Sequence, residues 1–203
     1  MRENLAEQLR LLLVTDDALL EGRDAVDVCA AAVQGGVTMV ELRLKHASPA
    51  DLVTLARRLI AALTVPVLVN DRADVALAAG AAGVHVGPDD LAPRLIRPIA
   101  PPGFVIGASV GTVAEVERGL AADYWGVGPL HLTTTKGDAG TALELEGARQ
   151  ILAVAGARPC VAIGGVTPAD MLAVEAAGFA GVAVARGILG AEDVAAAARR
   201  YFG

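Results

Sequence analysis

The chain has 203 residues, a formal net charge of −6, 54% hydrophobic and only 3% aromatic side chains. That length fits one domain, the acidity argues against a general nucleic-acid binder, and no apolar run reaches the roughly 18 residues of a membrane span. A core so poor in aromatics must be built from Ala, Val, Leu and Ile, which suits helices packed closely on a parallel sheet.

Met1-Arg2-Glu3-Asn4 mixes charges and lacks the apolar stretch of a signal peptide, so a soluble, cytoplasmic protein is expected. From there, short apolar runs alternate with amphipathic ones. Strands are expected at 11–15, 39–44, 65–70, 83–86, 104–108, 124–127, 160–163 and 181–185. Helices are expected at 24–34, 49–62, 73–79, 112–121, 144–154, 168–177 and 191–201. Ser48-Pro49 and Thr167-Pro168 each set a hydroxyl cap before a proline at the first helical position. Gly35-Gly36, Gly80 and Gly178 fall where helices should stop.

No linker or low-complexity segment divides the chain, so residues 1–203 read as one domain. Eight strand–helix units at about 25 residues each are compact for such a unit. The alternation implies a parallel sheet with right-handed crossovers. Eight units point to a closed (β/α)8 TIM barrel, an α/β fold. A doubly wound open sheet is the alternative, but its G-x-G-x-x-G fingerprint is absent.

In such a barrel, chemistry gathers at the C-terminal ends of the strands. Strand one ends in Thr15-Asp16-Asp17. Glu41, Arg43 and Lys45 alternate along strand two, so they share a face, and three charges under the helices would be costly. They should point into the barrel mouth. Asp71 and Asp90 follow strands three and four, which lie about 4.8 Å apart in a parallel sheet. Two converging carboxylates suit Mg2+, which keeps waters and accepts phosphate oxygens as further ligands. Either acid could instead cap a following helix, and Asp71 could pair with Arg72. Strand five ends at Ser109. After strand six, Gly128-Pro129 gives way to Thr133-Thr134-Thr135-Lys136, hydroxyls and an ammonium suited to phosphate oxygens. Gly164-Gly165 after strand seven and Arg186-Gly187 after strand eight sit where many barrels seat a phosphate on backbone N–H groups. Plain turn chemistry is the alternative for the glycines.

Cys29 and Cys160 have no metal-like spacing and read as buried small hydrophobes. His46, His85 and His131 follow no zinc pattern. His85 reads as a structural or mouth-lining residue, His46 as a solvated loop residue, and Trp125 as core.

With these residues in place the chain resembles the thiamine-phosphate synthases over nearly its whole length. The resemblance is carried by Leu13-Val14-Thr15-Asp16, Val40 to Lys45, Leu68 to Arg72, Gly83-Val84-His85-Val86-Gly87 with Asp90, and Ile106-Gly107 with Ser109. It continues through Ala122 to Lys136, Ala162-Ile163-Gly164-Gly165 and Gly181 to Val184. The family is a (β/α)8 barrel that joins hydroxymethylpyrimidine diphosphate to thiazole phosphate, giving thiamine phosphate and pyrophosphate. The resemblance implies that Asp71 and Asp90 hold Mg2+. It implies that Arg43, Lys45, Asn70 and Lys136 hold the diphosphate, with Ser109 beside its reacting end. Thr133 and Thr135 would contact the thiazole, whose phosphate would sit on Gly165 and the backbone at Ala185 and Arg186. Ser109, Lys136 and Arg43 are thus the expected catalytic residues. No nucleic-acid or membrane partner is implied, and a homo-oligomer is compatible with all of this.

Four positions depart from the family pattern. Glu41 stands where Gln is usual and can accept but not donate hydrogen bonds when ionised. Pro88 replaces a common Gln, His131 a usual aromatic, and Arg186 a usual Ser. The resemblance leaves two further readings. A thiazole tautomerase in the same superfamily would carry a His where this chain has Pro129, two residues from His131. A non-catalytic protein would bind thiazole phosphate without turnover.

Overall fold

In the computed structural model, residues 4–131 and 142–202 are described. Eight parallel strands pair in sequence order into a closed barrel, and β1 pairs with β8 to complete it. The strands are β1 Leu11–Val14, β2 Met39–Leu42, β3 Val67–Asn70, β4 Gly83–Val86, β5 Val105–Val110, β6 Tyr124–Val127, β7 Cys160–Ile163 and β8 Gly181–Val184. The TIM-barrel fold is as expected, and the strands begin and end within two residues of the expected limits.

Alternation along the strands divides the core into two. Leu12, Met39, Leu68, Val105, Tyr124 and Val161 point inward and fill the barrel. Their neighbours, such as Leu11, Leu13, Val40, Val69, Ile106 and Trp125, point outward and pack against the helices. Trp125 and both cysteines are buried, as expected. Burial pushes the Cys29 thiol up to about 12 and the Cys160 thiol up to about 11, which leaves both unreactive.

A short helix that was not expected, α1 Leu5–Gln8, places Leu5, with Leu9 just after it, under the barrel as a plug. The longer helices follow the sequence signals. In α2 Ala25–Gln34, the Asp24 side chain accepts from the Val26 and Asp27 N–H groups. In α3 Pro49–Ala62, Ser48 caps, Pro49 opens the first turn, and Leu52, Ala56 and Leu59 form the buried stripe. Then α4 Ala73–Ala79 stops at Gly80 in the left-handed conformation.

Four shorter elements differ from expectation. Between β4 and β5 the prolines at 93, 98, 101 and 102 limit the crossover to α5 Pro93–Ile96 and a 3-10 turn, Arg97–Ile99. The helix expected at 112–121 is a 3-10 turn, Val113–Glu115, followed by α6 Val116–Gly119. After α7 Glu144–Ala155, the stretch expected at 168–177 opens with the 3-10 turn Pro168–Asp170 before α8 Met171–Ala176. After β8, α9 Arg186–Leu189 precedes α10 Val194–Arg199, which closes in the 3-10 turn Arg200–Phe202. Among the described residues, no helix is long and apolar enough to cross a membrane.

Candidate active site

The C-terminal ends of the strands surround a cavity of about 1100 Å³. Of the expected site residues, Glu41, Arg43, Asn70, Ser109, Gly165, Ala185 and Arg186 line it. Thr133, Thr135 and Lys136 lie outside the described residues. Glu41 is buried and lines the cavity, so the expected inward face of strand two is correct. That strand ends at Leu42, and Arg43 and Lys45 are carried by the loop that follows.

The residues after β1 hold this loop. Thr15 is fully buried; its Oγ1 accepts from the Arg43 N–H at 2.7 Å and donates to the Arg43 carbonyl at 3.2 Å. The Asp16 carboxylate pairs with the Arg43 guanidinium at 3.3 Å. Asp17 accepts from the Lys45 N–H at 2.8 Å. The Thr15-Asp16-Asp17 run therefore supports the cationic loop.

Asp71 and Asp90 converge. The Asp71 carboxyl is pushed up to about 6, by burial first and then by hydrogen bonding and repulsion from Asp90. A hydrogen bond from Asn70 and the charge of Lys45 act in the opposite direction. Asp71 also has φ +62, a left-handed conformation for a residue with a side chain, fixed by donation of its N–H to the His85 carbonyl at 2.7 Å. The Asp90 carboxylate accepts from the Gly87 N–H at 2.7 Å, and Arg118 donates to the carbonyls of Gly87 and Asp90. Neither acid caps a helix: Arg72 and Ala92 occupy those N-cap positions. Arg72 forks onto Asp74 instead of Asp71. Asp71 holds its proton more tightly partly because it faces Asp90, and a divalent cation between the two relieves that cost. Among the described residues, no group of three or more potential metal ligands occurs. Two carboxylates are a donor set suited to an ion that draws its other ligands from water and substrate, as Mg2+ does.

The opposite wall has another character. Gly164 and Gly165 have φ values of +90 and +69. A Cβ at Gly164 would fall 2.5 Å from the Pro129 Cβ, and one at Gly128 would fall 2.2 Å from the Ile163 carbonyl oxygen. Glycine at these positions lets the loops after β6 and β7 meet backbone to backbone. Among the described residues lining the β7–β8 side, Arg186 and Arg200 are charged and no acid is present. Arg200 comes from the last helical turn, and no strand-end reading could have found it.

Pro129 lines the cavity. His131 does not: its Nε2 lies 3.2 Å from Asp170 Oδ1, and its N–H donates to the Gly164 carbonyl. His85 does line the cavity, as the sequence suggested. Its parity on β4, paired with Asn70 on β3, is the signal that marks it as inward-facing.

Comparison with known proteins agrees with the geometry. The thiamine monophosphate synthase family model matches residues 11–188. The chain is 44% identical over 194 residues to a thiamine-phosphate synthase of Methanoculleus marisnigri, covering 93% of this chain and 92% of that one. It is also 44% identical over 196 residues to a thiamine-phosphate synthase of Azorhizobium caulinodans, covering 94% and 92%. The solved thiamine phosphate pyrophosphorylase of Pyrococcus furiosus superposes with a TM-score of 0.85 at 32% identity, covering 98% of this chain and 96% of that one. A match of this length, on a barrel with paired acids beside its mouth, places the chain in the thiamine monophosphate synthase family.

Proposed function

We propose that the protein is a thiamine-phosphate synthase that condenses hydroxymethylpyrimidine diphosphate with thiazole phosphate. The observation that carries this reading is the Asp71–Asp90 pair beside a cavity lined by Arg43 after β2 and by Arg186 and Arg200 on the β7–β8 side.

Asp71 and Asp90 would hold Mg2+, which when bound offsets the charge that grows on the departing pyrophosphate. Arg43, Lys45, Asn70 and Lys136 bind the diphosphate, and Arg43 and Lys136 stabilise it as it leaves. Arg43 is already oriented by Thr15 and Asp16, so little reorganisation is needed at that moment. Glu41 faces the pyrimidine ring at the cavity floor and accepts from its amino group. Ser109 stands at the reacting end. Electron release from the ring amino group helps the methylene–oxygen bond break, and the thiazole nitrogen then captures the methylene carbon. Thr133 and Thr135 hold the thiazole partner. Gly165, Ala185 and Arg186 seat its phosphate, Arg186 through its guanidinium. The protein positions the partners and excludes water, and no covalent link to it is required.

The tautomerase reading needs an acid–base side chain in the cavity wall near position 129, but that position is Pro129 and His131 engages Asp170. The direct test supplies folded protein with both precursors and Mg2+ and follows pyrophosphate and thiamine phosphate. Equal release of both supports the proposal. Absence of both at high enzyme concentration refutes it, and thiazole phosphate binding without turnover would leave a binding protein.

A further inference from the structure

A polar chain crosses the barrel interior at the cavity that His85 and Ser109 line. On the strand ladder, His85 of β4 stands opposite Gly107 of β5, and Gly107 stands opposite Tyr124 of β6. Side chains two strands apart meet only if the residue between them is small. A Cβ at Gly107 would lie 2.3 Å from Tyr124 Cζ and 2.5 Å from His85 Nδ1. Across the bare glycine, Nδ1 and the Tyr124 hydroxyl lie 2.8 Å apart. On the ring's other edge, Nε2 lies 3.1 Å from Ser109 Oγ. Ser109 pairs with Gly126, where a Cβ would come within 3.0 Å of His85 Cε1. Two glycines thus keep open a slot that fits the imidazole.

The donors can be assigned in order. Tyr124 is fully buried, and burial, followed by the charge of Glu41, holds its hydroxyl well above the usual phenol range. It therefore keeps its proton, and the ring nitrogen 2.8 Å away, Nδ1, can accept it. A ring that accepts at Nδ1 carries its proton on Nε2. Nε2–H then donates to Ser109 Oγ. The serine's own hydrogen is left to point into the cavity that Ser109 lines.

We propose that His85, anchored by Tyr124, is a positioning residue that fixes Ser109 as a hydrogen-bond donor toward the reacting end of the diphosphate substrate. The identity of what Ser109 faces rests on the synthase reading; the tautomer of His85 does not.

Two measurements test this separately. Two-bond 1H–15N correlation spectra of the free protein report which ring nitrogen carries the proton. Only three histidines are present, and a His85→Gln sample identifies the signals of interest. A proton on Nε2 and a bare Nδ1 are expected, and a proton on Nδ1 overturns the proposal whatever the enzyme catalyses. In turnover, His85→Asn keeps a partner for Tyr124 but cannot reach Ser109, so kcat falls about tenfold, as loss of one hydrogen bond allows. KM for thiazole phosphate stays unchanged. His85→Gln, whose amide nitrogen falls near the Nε2 position, recovers most of the rate. In a Ser109→Ala background the His85→Asn penalty disappears. An equal penalty in both backgrounds would mean that His85 acts through packing, and the proposal fails. Should wild-type protein not turn over the precursors, the synthase reading fails and the spectra still decide the tautomer.

Discussion

Replacing Asp71 with Asn removes one of two facing carboxylates while preserving side-chain shape. Position 71 has φ +62, a region where Asn is at home, so the backbone should hold. The Asp71 carboxyl is pushed up from 3.8 to about 6 in the folded chain, by burial first and Asp90 second. Its folded pKa exceeds the unfolded value, so the folded chain binds the extra proton between those two values. Stability therefore falls as pH rises from about 4 through about 6, and remains lower above that window. A shift of about two units at about 1.4 kcal/mol each sets an upper limit of about 3 kcal/mol. The residue is only partly buried, and solvent screening reduces the cost to about 1 kcal/mol. For a chain of this size that is about 2–4 °C in Tm.

Metal-free Asp71→Asn should thus melt about 2–4 °C above the parent near neutral pH, with the gap closing at about pH 4. Mg2+ should raise the Tm of the parent by mass action and leave the variant unmoved. Synthase turnover should fall by about a hundredfold or more, because a metal contributes several kcal/mol of charge stabilisation. Differential scanning fluorimetry across pH, with and without Mg2+, reads the first two effects. A variant less stable than the parent near neutral pH, or equal stabilisation of both by Mg2+, would refute the account of this carboxylate pair.

Lys136→Ala should raise KM for the pyrimidine diphosphate and slow turnover, with calorimetric binding of thiazole phosphate largely intact; lost thiazole phosphate binding would place the lysine at the other phosphate. Arg186→Ala should weaken thiazole phosphate binding about tenfold, the scale of one charged hydrogen bond, and leave the diphosphate KM alone. An unchanged affinity would remove Arg186 from the phosphate seat. Gly164→Ala combines φ +90 with a Cβ placed 2.5 Å from the Pro129 Cβ, so it should cost about 2–4 kcal/mol in urea denaturation. An unchanged midpoint would show that the loops after β6 and β7 separate cheaply.

The barrel was legible because strand burial leaves a coarse signal. Runs such as Leu11–Val14 and Cys160–Ile163 are apolar on both faces, as a strand between a filled barrel and a helical shell must be. The short helices were less legible. Proline and small residues between β4 and β5 carry no periodicity, and α1 is recognisable as a plug only once the barrel exists to receive Leu5 and Leu9. Much of the candidate site was legible for the same reason as the barrel. Parity placed Glu41 inside, and strand-end position placed Asn70, Ser109 and Gly165 around one mouth, with Asp71 next to Asn70.

What parity cannot supply is register between strands. Gly107 looks like any strand glycine until the ladder sets it between His85 and Tyr124. Only then does the absence of a side chain have a use, and only then do two residues 39 positions apart become hydrogen-bonded partners. The strain at Asp71 has the same origin. Nothing in Asn70-Asp71-Arg72 announces a left-handed residue, because that conformation is imposed by the His85 carbonyl on the neighbouring strand. One residue on β4 thus reaches both the carboxylate pair and Ser109: its carbonyl accepts from the Asp71 N–H and its ring lies against the serine hydroxyl. That coupling predicts coordinated loss: a backbone shift at His85 disturbs Asp71 and the serine together, whereas a ring substitution alone reaches only the serine.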